Sequence, residues 1–208
     1  MRLLALSFGL LISLYSNSLL AQNKNQTDGF SFFAHTGLNA SQVGGDGLQG
    51  FDKLNLAAGL GVQRFIKEKF DWRLEINLLQ KGSRKAADPE NGDITEYKMS
   101  LLYAQVPVLI EYKYNEKISL LGGPGFGFLM SSKEKDAEGE IANTPEFNTV
   151  DFSLILSAKY QFSDNLGTEI RFDQSLLPIR SKGSGVSQNL IGRQFNTVLG
   201  IFLSYSIN

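Results

Sequence analysis

Apolar and polar residues alternate along most of this chain. From Phe70 to Lys81, Phe70, Trp72, Leu74, Ile76 and Leu78 interleave with Asp71, Arg73, Glu75 and Asn77. A period of two with no competing helical stripe marks a strand with two unlike faces. The same alternation predicts seven further strands, at about 30–39, 54–66, 101–114, 118–129, 150–162, 166–177 and from 195 onward. Each has an apolar face; the 101–114 strand sets Ala104, Val106, Val108, Ile110, Tyr112 and Tyr114 against Gln105, Glu111 and Lys113.

Three short polar turns, Lys67-Glu68-Lys69, Asn115-Glu116-Lys117 and Ser163-Asp164-Asn165, begin 48 positions apart. They divide the chain into four units of strand, long loop and strand. Facing residues of an antiparallel pair point to the same side. Three-residue turns therefore set Ile66 opposite Phe70, Tyr114 opposite Ile118 and Phe162 opposite Leu166, all on the apolar face. The expected fold is all-β: a single antiparallel up-and-down transmembrane β-barrel of about eight strands, with short periplasmic turns and long extracellular loops. Residues 1–21 read as a signal peptide, 22–29 as a flexible segment and 30–208 as the barrel domain.

The signal-peptide reading rests on Arg2, the apolar run Leu3 to Leu14 and Ala21 as the small residue before cleavage. The run is shorter than the ~20 residues of a spanning helix, and no later stretch is long and apolar enough for one. A mature chain that crosses a membrane does so as a closed barrel. With 20 basic and 21 acidic residues there is no basic stripe for nucleic acid. The absence of Cys and the lone His35 leave no set of thiolate or imidazole metal ligands. No metal or organic cofactor is expected.

Alternation alone does not say which face is outside. A lipocalin-like carrier is apolar inward; an outer-membrane barrel is apolar outward. Bulky aromatics cluster on the apolar face near the short turns: Phe70, Trp72, Tyr112, Tyr114, Tyr160, Phe162 and Tyr205. Such a girdle suits a membrane interface. The polar face carries both signs in mid-strand, with Asp71, Glu75, Glu111, Asp151, Glu169 and Asp173 against Arg73, Lys81, Lys113, Lys159 and Arg171. In a narrow lumen these charges must pair. Arg64 is the exception on the apolar face, near the short-turn end. The pattern favours the membrane, with a soluble periplasmic ligand carrier as the alternative.

Gly122-Gly123-Pro124-Gly125-Phe126-Gly127 resembles a phosphate loop only in its glycines, because the residues that follow are strand-like rather than a helix start. Pro107 and Pro124 fall beside one another across the hairpin, where lost ladder hydrogen bonds predict a local bulge. His35 faces the polar side. It is the centre of an alternative reading, a lipid-modifying or hydrolytic enzyme, but no nucleophile motif accompanies it. Lys133 to Glu140 reads as a solvated charged loop. Specific binding is expected in the long loops, about 40–53, 82–98, 130–148 and 178–193.

Gly37-Leu38-Asn39-Ala40-Ser41, Gln80-Lys81-Gly82, the segment from Tyr103 to Tyr112 with Gln105-Val106-Pro107, and Gly122-Gly123-Pro124 followed by Phe128-Leu129 together resemble the PorT-like outer-membrane β-barrel proteins of Bacteroidetes. The resemblance spans the mature chain. It implies an outer-membrane barrel with no catalytic residues to carry over. The named member of that family is tied to secretion of proteins across the outer membrane; a role accessory to protein secretion or envelope organisation is the expectation here, with outer-membrane lipid, and envelope or secretion proteins met through the long loops, as partners. The ending Tyr205-Ser206-Ile207-Asn208 departs from the terminal aromatic common in barrel proteins.

Overall fold

The computed structural model describes residues 29–48, 50–87, 90, 95–142, 144–180 and 193–207. The signal-peptide and flexible-segment readings lie outside the described residues, apart from Gly29. Ten strands are described: β1 (Phe30–Gly44), β2 (Lys53–Lys67), β3 (Phe70–Lys81), β4 (Arg84–Lys85), β5 (Tyr97–Lys113), β6 (Ile118–Asp136), β7 (Gly139–Glu140), β8 (Val150–Gln161), β9 (Leu166–Ser175) and β10 (Phe195–Ile207). Eight form the wall, in the order β5-β3-β2-β1-β10-β9-β8-β6, and β6 pairs back onto β5 to close it. All pairings are antiparallel. A closed antiparallel wall leaves no open edge, as a lipid-spanning sheet requires.

The apolar face is outside. Ile76 is 66% exposed while its neighbour Glu75 is fully buried. Leu54, Leu56 and Leu60 on β2, and Leu199, Ile201 and Leu203 on β10, are likewise exposed. This arrangement excludes an apolar ligand cavity of the lipocalin kind. The predicted girdle residues all face outward at the short-turn end, where Phe70 meets Tyr112 (centroids 5.2 Å apart) and Tyr160 meets Phe162 (5.3 Å). Trp72 packs edge-on against Phe30, and the Arg64 guanidinium lies over the same ring, 5.3 Å from its centroid. Tyr114 and Tyr205 are exposed beside them.

Several boundaries differ from the sequence pattern. β1 runs on to Gly44, because Asn39, Ser41 and Val43 continue to alternate inward, and the loop expected at 40–53 shortens accordingly. β5 begins at Tyr97 and β6 continues to Asp136, so Lys133 to Asp136 belong to a strand and not to a loop. The register of this pair shifts between Leu102 and Tyr103, where Met130 is the extra residue. That bulge flips the parity beyond it and hides the alternation. β9 stops at Ser175, two residues short of the expected end. At the first turn Lys67, not Ile66, pairs with Phe70, with a shift at Ile66; the rest of the β2–β3 register is as the turn spacing predicts.

The proline pair does not make a bulge. Pro107 pairs Gly125 and Ile110 pairs Gly122 in one unchanged register, with the two rows between them unpaired. On the other side of β5, the β3 ladder skips from Leu74–Val108 to Asn77–Gln105. The prolines interrupt ladders without inserting a residue. Gly122 and Gly123 sit in the same stretch of β6, which runs on through Phe128 as strand, so no phosphate loop is formed.

Ile76 lies midway along β3 in the outward band, where a charge meets hydrocarbon. Ile76→Arg is expected to destabilise the barrel in phospholipid vesicles by about 2–4 kcal/mol. The measurement is a urea titration of the folded band on an unboiled gel; an unchanged midpoint would contradict the outward assignment.

Candidate functional site

The polar residues of the wall converge in the lumen in stacked layers. Nearest the short turns, the Lys113 ammonium pairs with Asp71 at 2.7 Å, and Gln63 donates to the same carboxylate at 2.5 Å. One layer on, Arg73 lies between Glu75 (2.7 Å), Glu169 (3.1 Å) and Glu111 (3.8 Å). Lys159 completes this group, 3.6 Å from Glu111. Arg171 grips Glu75 (2.8 Å) and Glu169 (2.6 Å) from the other side. Three bases thus meet three acids, all buried or nearly so. Further along, Lys81 bridges Asp151 (3.0 Å) and Asp173 (2.9 Å). The second negative charge there is met by neutral donors: Gln105 to Asp173 (2.8 Å), and Ser175 (2.6 Å) and Asn196 (3.0 Å) to Asp151.

Strand geometry explains why these residues meet. Arg73 and Glu75 are two apart on β3 and share a face, as do Glu169 and Arg171 on β9. β3 and β9 lie on opposite sides of the wall. Long side chains from each reach across a lumen too narrow for a water channel. Aromatic faces fill the remaining space: Phe33 lies 4.3 Å from the Arg73 guanidinium, and Phe202 5.1 Å from that of Arg171. The space left among Leu79, Gln105, Arg171, Asp173 and Phe202 is about 10 Å³, room for one water.

His35 is part of this packing. Its Nε2 lies 2.8 Å from Asn77 Oδ1, and its ring sits between Phe33 and Phe202, with centroids 5.7 and 5.4 Å away. His35, Gly59 and Asn77 form one cross-strand row on β1, β2 and β3. The central glycine lets the outer two side chains meet above it: a Cβ at Gly59 would lie 2.0 Å from Asn77 Oδ1 and 2.6 Å from His35 Nε2. Ser204, across the ladder from His35, donates instead to the carbonyl of Gly167 at 3.3 Å. Among the described residues the side-chain hydrogen bond of His35 thus goes to Asn77 and not to the Ser204 hydroxyl.

The mouth holds residues that the sequence pattern did not single out. Val43, Met99, Leu101, Tyr103 and Ile179 form a buried apolar cluster, with Tyr97, Leu129 and Phe147 packed against it. Glu134, expected on a solvated loop, is buried and receives both Arg180 Nη1 (3.1 Å) and Arg180 Nη2 (2.5 Å). Tyr97 donates to the same carboxylate, and the Arg180 guanidinium lies 3.6 Å from the Phe147 ring centroid. Glu134 becomes legible only when β6 is extended past the Met130 bulge, because parity then turns it inward. Arg180 carries no sequence signal. Lys53 is also buried and donates to the carbonyls of Lys81 (2.6 Å) and Met99 (2.7 Å).

A closed antiparallel wall, apolar outside and charge-paired inside, defines an integral outer-membrane β-barrel. The chain belongs to the outer membrane protein beta-barrel domain family, whose model matches residues 5–180, and its place is the outer membrane. Among solved structures it is similar to Ail of Yersinia pestis in complex with the heparin analogue sucrose octasulfate, at 13% identity and a TM-score of 0.48, covering 86% of this chain and 99% of that one. It is also similar to Neisserial surface protein A (9% identity, TM-score 0.47, covering 86% and 100%). A third similar structure is OprG of Pseudomonas aeruginosa (10%, 0.38, covering 88% and 98%). No curated protein matches the chain. Likenesses this distant add nothing beyond the fold, which the strand order of this chain already defines.

Two substitutions test the lumen. Glu75→Gln removes a partner from both Arg73 and Arg171 and is expected to cost about 3–5 kcal/mol; Glu75→Gln with Arg171→Gln, which restores neutrality, should cost clearly less than the two single changes summed. Gly59→Ala is expected to cost about 1–3 kcal/mol by overpacking the His35–Asn77 row. Urea midpoints of the heat-modifiable band measure all of these.

Proposed function

We propose that this protein is a non-enzymatic outer-membrane barrel whose work is done at its long-loop end. The observation that carries this reading is the filled interior. Ion pairs occupy the lumen from Asp71 to Asp151, and the cluster around Met99 and Tyr103 caps it. Among the described residues, packing of this kind weighs against a substrate site or a solute path through the lumen. What remains available to partners is the mouth, where β5 and β6 project with β4 and β7 paired to their outer edges.

Within that reading, a role accessory to protein secretion or envelope organisation is the finer proposal, with envelope proteins met through the loops. The resemblance to PorT-like barrels supports it. An enzyme centred on His35 is the second reading; the Asn77 bond and the flanking aromatic rings weigh against it, since they engage the imidazole in packing.

Two measurements test this. In a planar bilayer the purified protein should give no stable unit conductance; a steady open level would end the closed-interior reading. In cells, a protein with the tip of the β6–β7 hairpin, residues 137–138, replaced should fail to complement the envelope phenotype of a deletion strain, whereas His35→Ala should complement fully. Loss of complementation by a folded His35→Ala protein would move the enzyme reading to the front.

A further inference from the structure

The outer face of the wall changes character above its apolar band on one sector. Outward residues of β5 run Val108, Val106, Ala104 and Leu102, and then become Ser100 and Lys98. Those of β6 run Phe126, Phe128 and Met130, and then, past the bulge, Ser131, Lys133 and Lys135. β4 keeps the register of β3, so Arg84 continues the outward row of Leu78 and Gln80.

These residues form an array. Lys98 is opposed by Arg84 on one side and by Lys135 on the other, and Lys133 stands opposite Ser100 in the adjacent row. Directly opposed residues share a face, so three cations occupy one row with a fourth beside it. All four are exposed. Like charges placed directly opposite destabilise a sheet, and no packing in the wall requires them. Of the acids nearby, Asp52 lies toward the Arg84 end of the array, where it lines the same cleft as Arg84. Glu96 reaches only Arg84, at 3.7 Å with both side chains half exposed. Glu140 opposes Lys135 in the ladder but forms no ion pair with it. Among the described residues Lys98, Lys133 and Lys135 have no acidic partner.

The height of the array selects its ligand. Lys98 lies four residues beyond Leu102, the last apolar residue of its row. At ~3.3 Å per residue and a strand tilt of ~40° this is about 10 Å above the band. Lys133, three residues past Met130, is lower. The headgroup zone extends ~5–8 Å beyond the hydrocarbon, and lysine stems reach back toward it. On β1, β3, β9 and β10 the outward residues that end the band are uncharged: Gln42, Gln80, Gln174 and Thr197. Against those four strands the cations of the β4, β5 and β6 sector stand out.

We propose that Arg84, Lys98, Lys133 and Lys135 bind the phosphate groups of an anionic lipid of the outer leaflet, whose acyl chains lie along Leu102, Phe128 and Met130. The apolar band leads directly up to the cations, which is what a lipid with a phosphorylated headgroup needs and what a free ion does not.

The test uses the purified full-length barrel in detergent. Binding of diphosphoryl lipid A and of its fully dephosphorylated form is compared by native mass spectrometry for the wild type and for Lys98→Ser/Lys133→Ser/Lys135→Ser. The wild type is expected to bind the phosphorylated lipid about a hundredfold more tightly than the variant, a factor of roughly five per lysine, and the dephosphorylated lipid equally. Equal binding of the phosphorylated lipid by both proteins would overturn the proposal. Displacement by an equal concentration of inorganic phosphate would overturn the lipid assignment in favour of an ion site. The heat-modifiable shift reports folding. Should the triple variant not fold, Lys98→Ser decides by its expected fivefold loss, and Lys98→Arg/Lys133→Arg/Lys135→Arg by its expected retention of binding.

Discussion

Pairing of buried charge inside a wall that faces lipid governs this molecule. Arg73, Arg171 and Lys159 stand among Glu75, Glu111 and Glu169, and Lys81 stands between Asp151 and Asp173. Removing any one base leaves a carboxylate in a site with almost no water, where an unpaired ion is costly. The same constraint fixes strand register. A slip of one residue in β3 would send Arg73 and Glu75 to the hydrocarbon and bring Leu74 and Ile76 inside. The network and the apolar wall are thus two readings of one alternation, and neither tolerates a shift that the other would allow.

Glycines give the long side chains room. Gly59 leaves space for the His35–Asn77 bond, and the Phe33 ring lies over Gly61, where a Cβ would come within 2.2 Å of it. Phe33 in turn backs Arg73. Small residues on β2 and large ones on its neighbours together fill a narrow lumen. A barrel packed in this way is a rigid support, and variation in what it recognises falls to the mouth.

Much of the wall was legible in the residue pattern. β3 begins and ends where the alternation of Phe70 to Lys81 says, and the turns at Asn115 and Ser163 set the pairings Lys113–Ser119 and Tyr160–Thr168. The pattern misled where pairing is not advertised by an apolar face. Residues 131–136 are polar on both sides, and the Met130 bulge inverts their parity, so a strand reads as a charged loop. The effect of Pro107 and Pro124 was misjudged for a different reason. A missing donor breaks a ladder, but inserting a residue requires slack that the adjoining unbroken ladder between β6 and β8 does not give.

The sequence by itself determined the strands, their two faces and the need for their polar faces to be neutral together, because alternation and charge balance are properties of local order. The tertiary structure decided which charge meets which. Arg73 finds Glu169 and Arg171 finds Glu75, each 96 residues away, only because closure brings β3 and β9 within reach across the lumen. Arg180 finds Glu134 for the same kind of reason. Closure likewise set Arg84, Lys98 and Lys135 side by side, three residues from separate segments whose common row exists only once β4, β5 and β6 share one register.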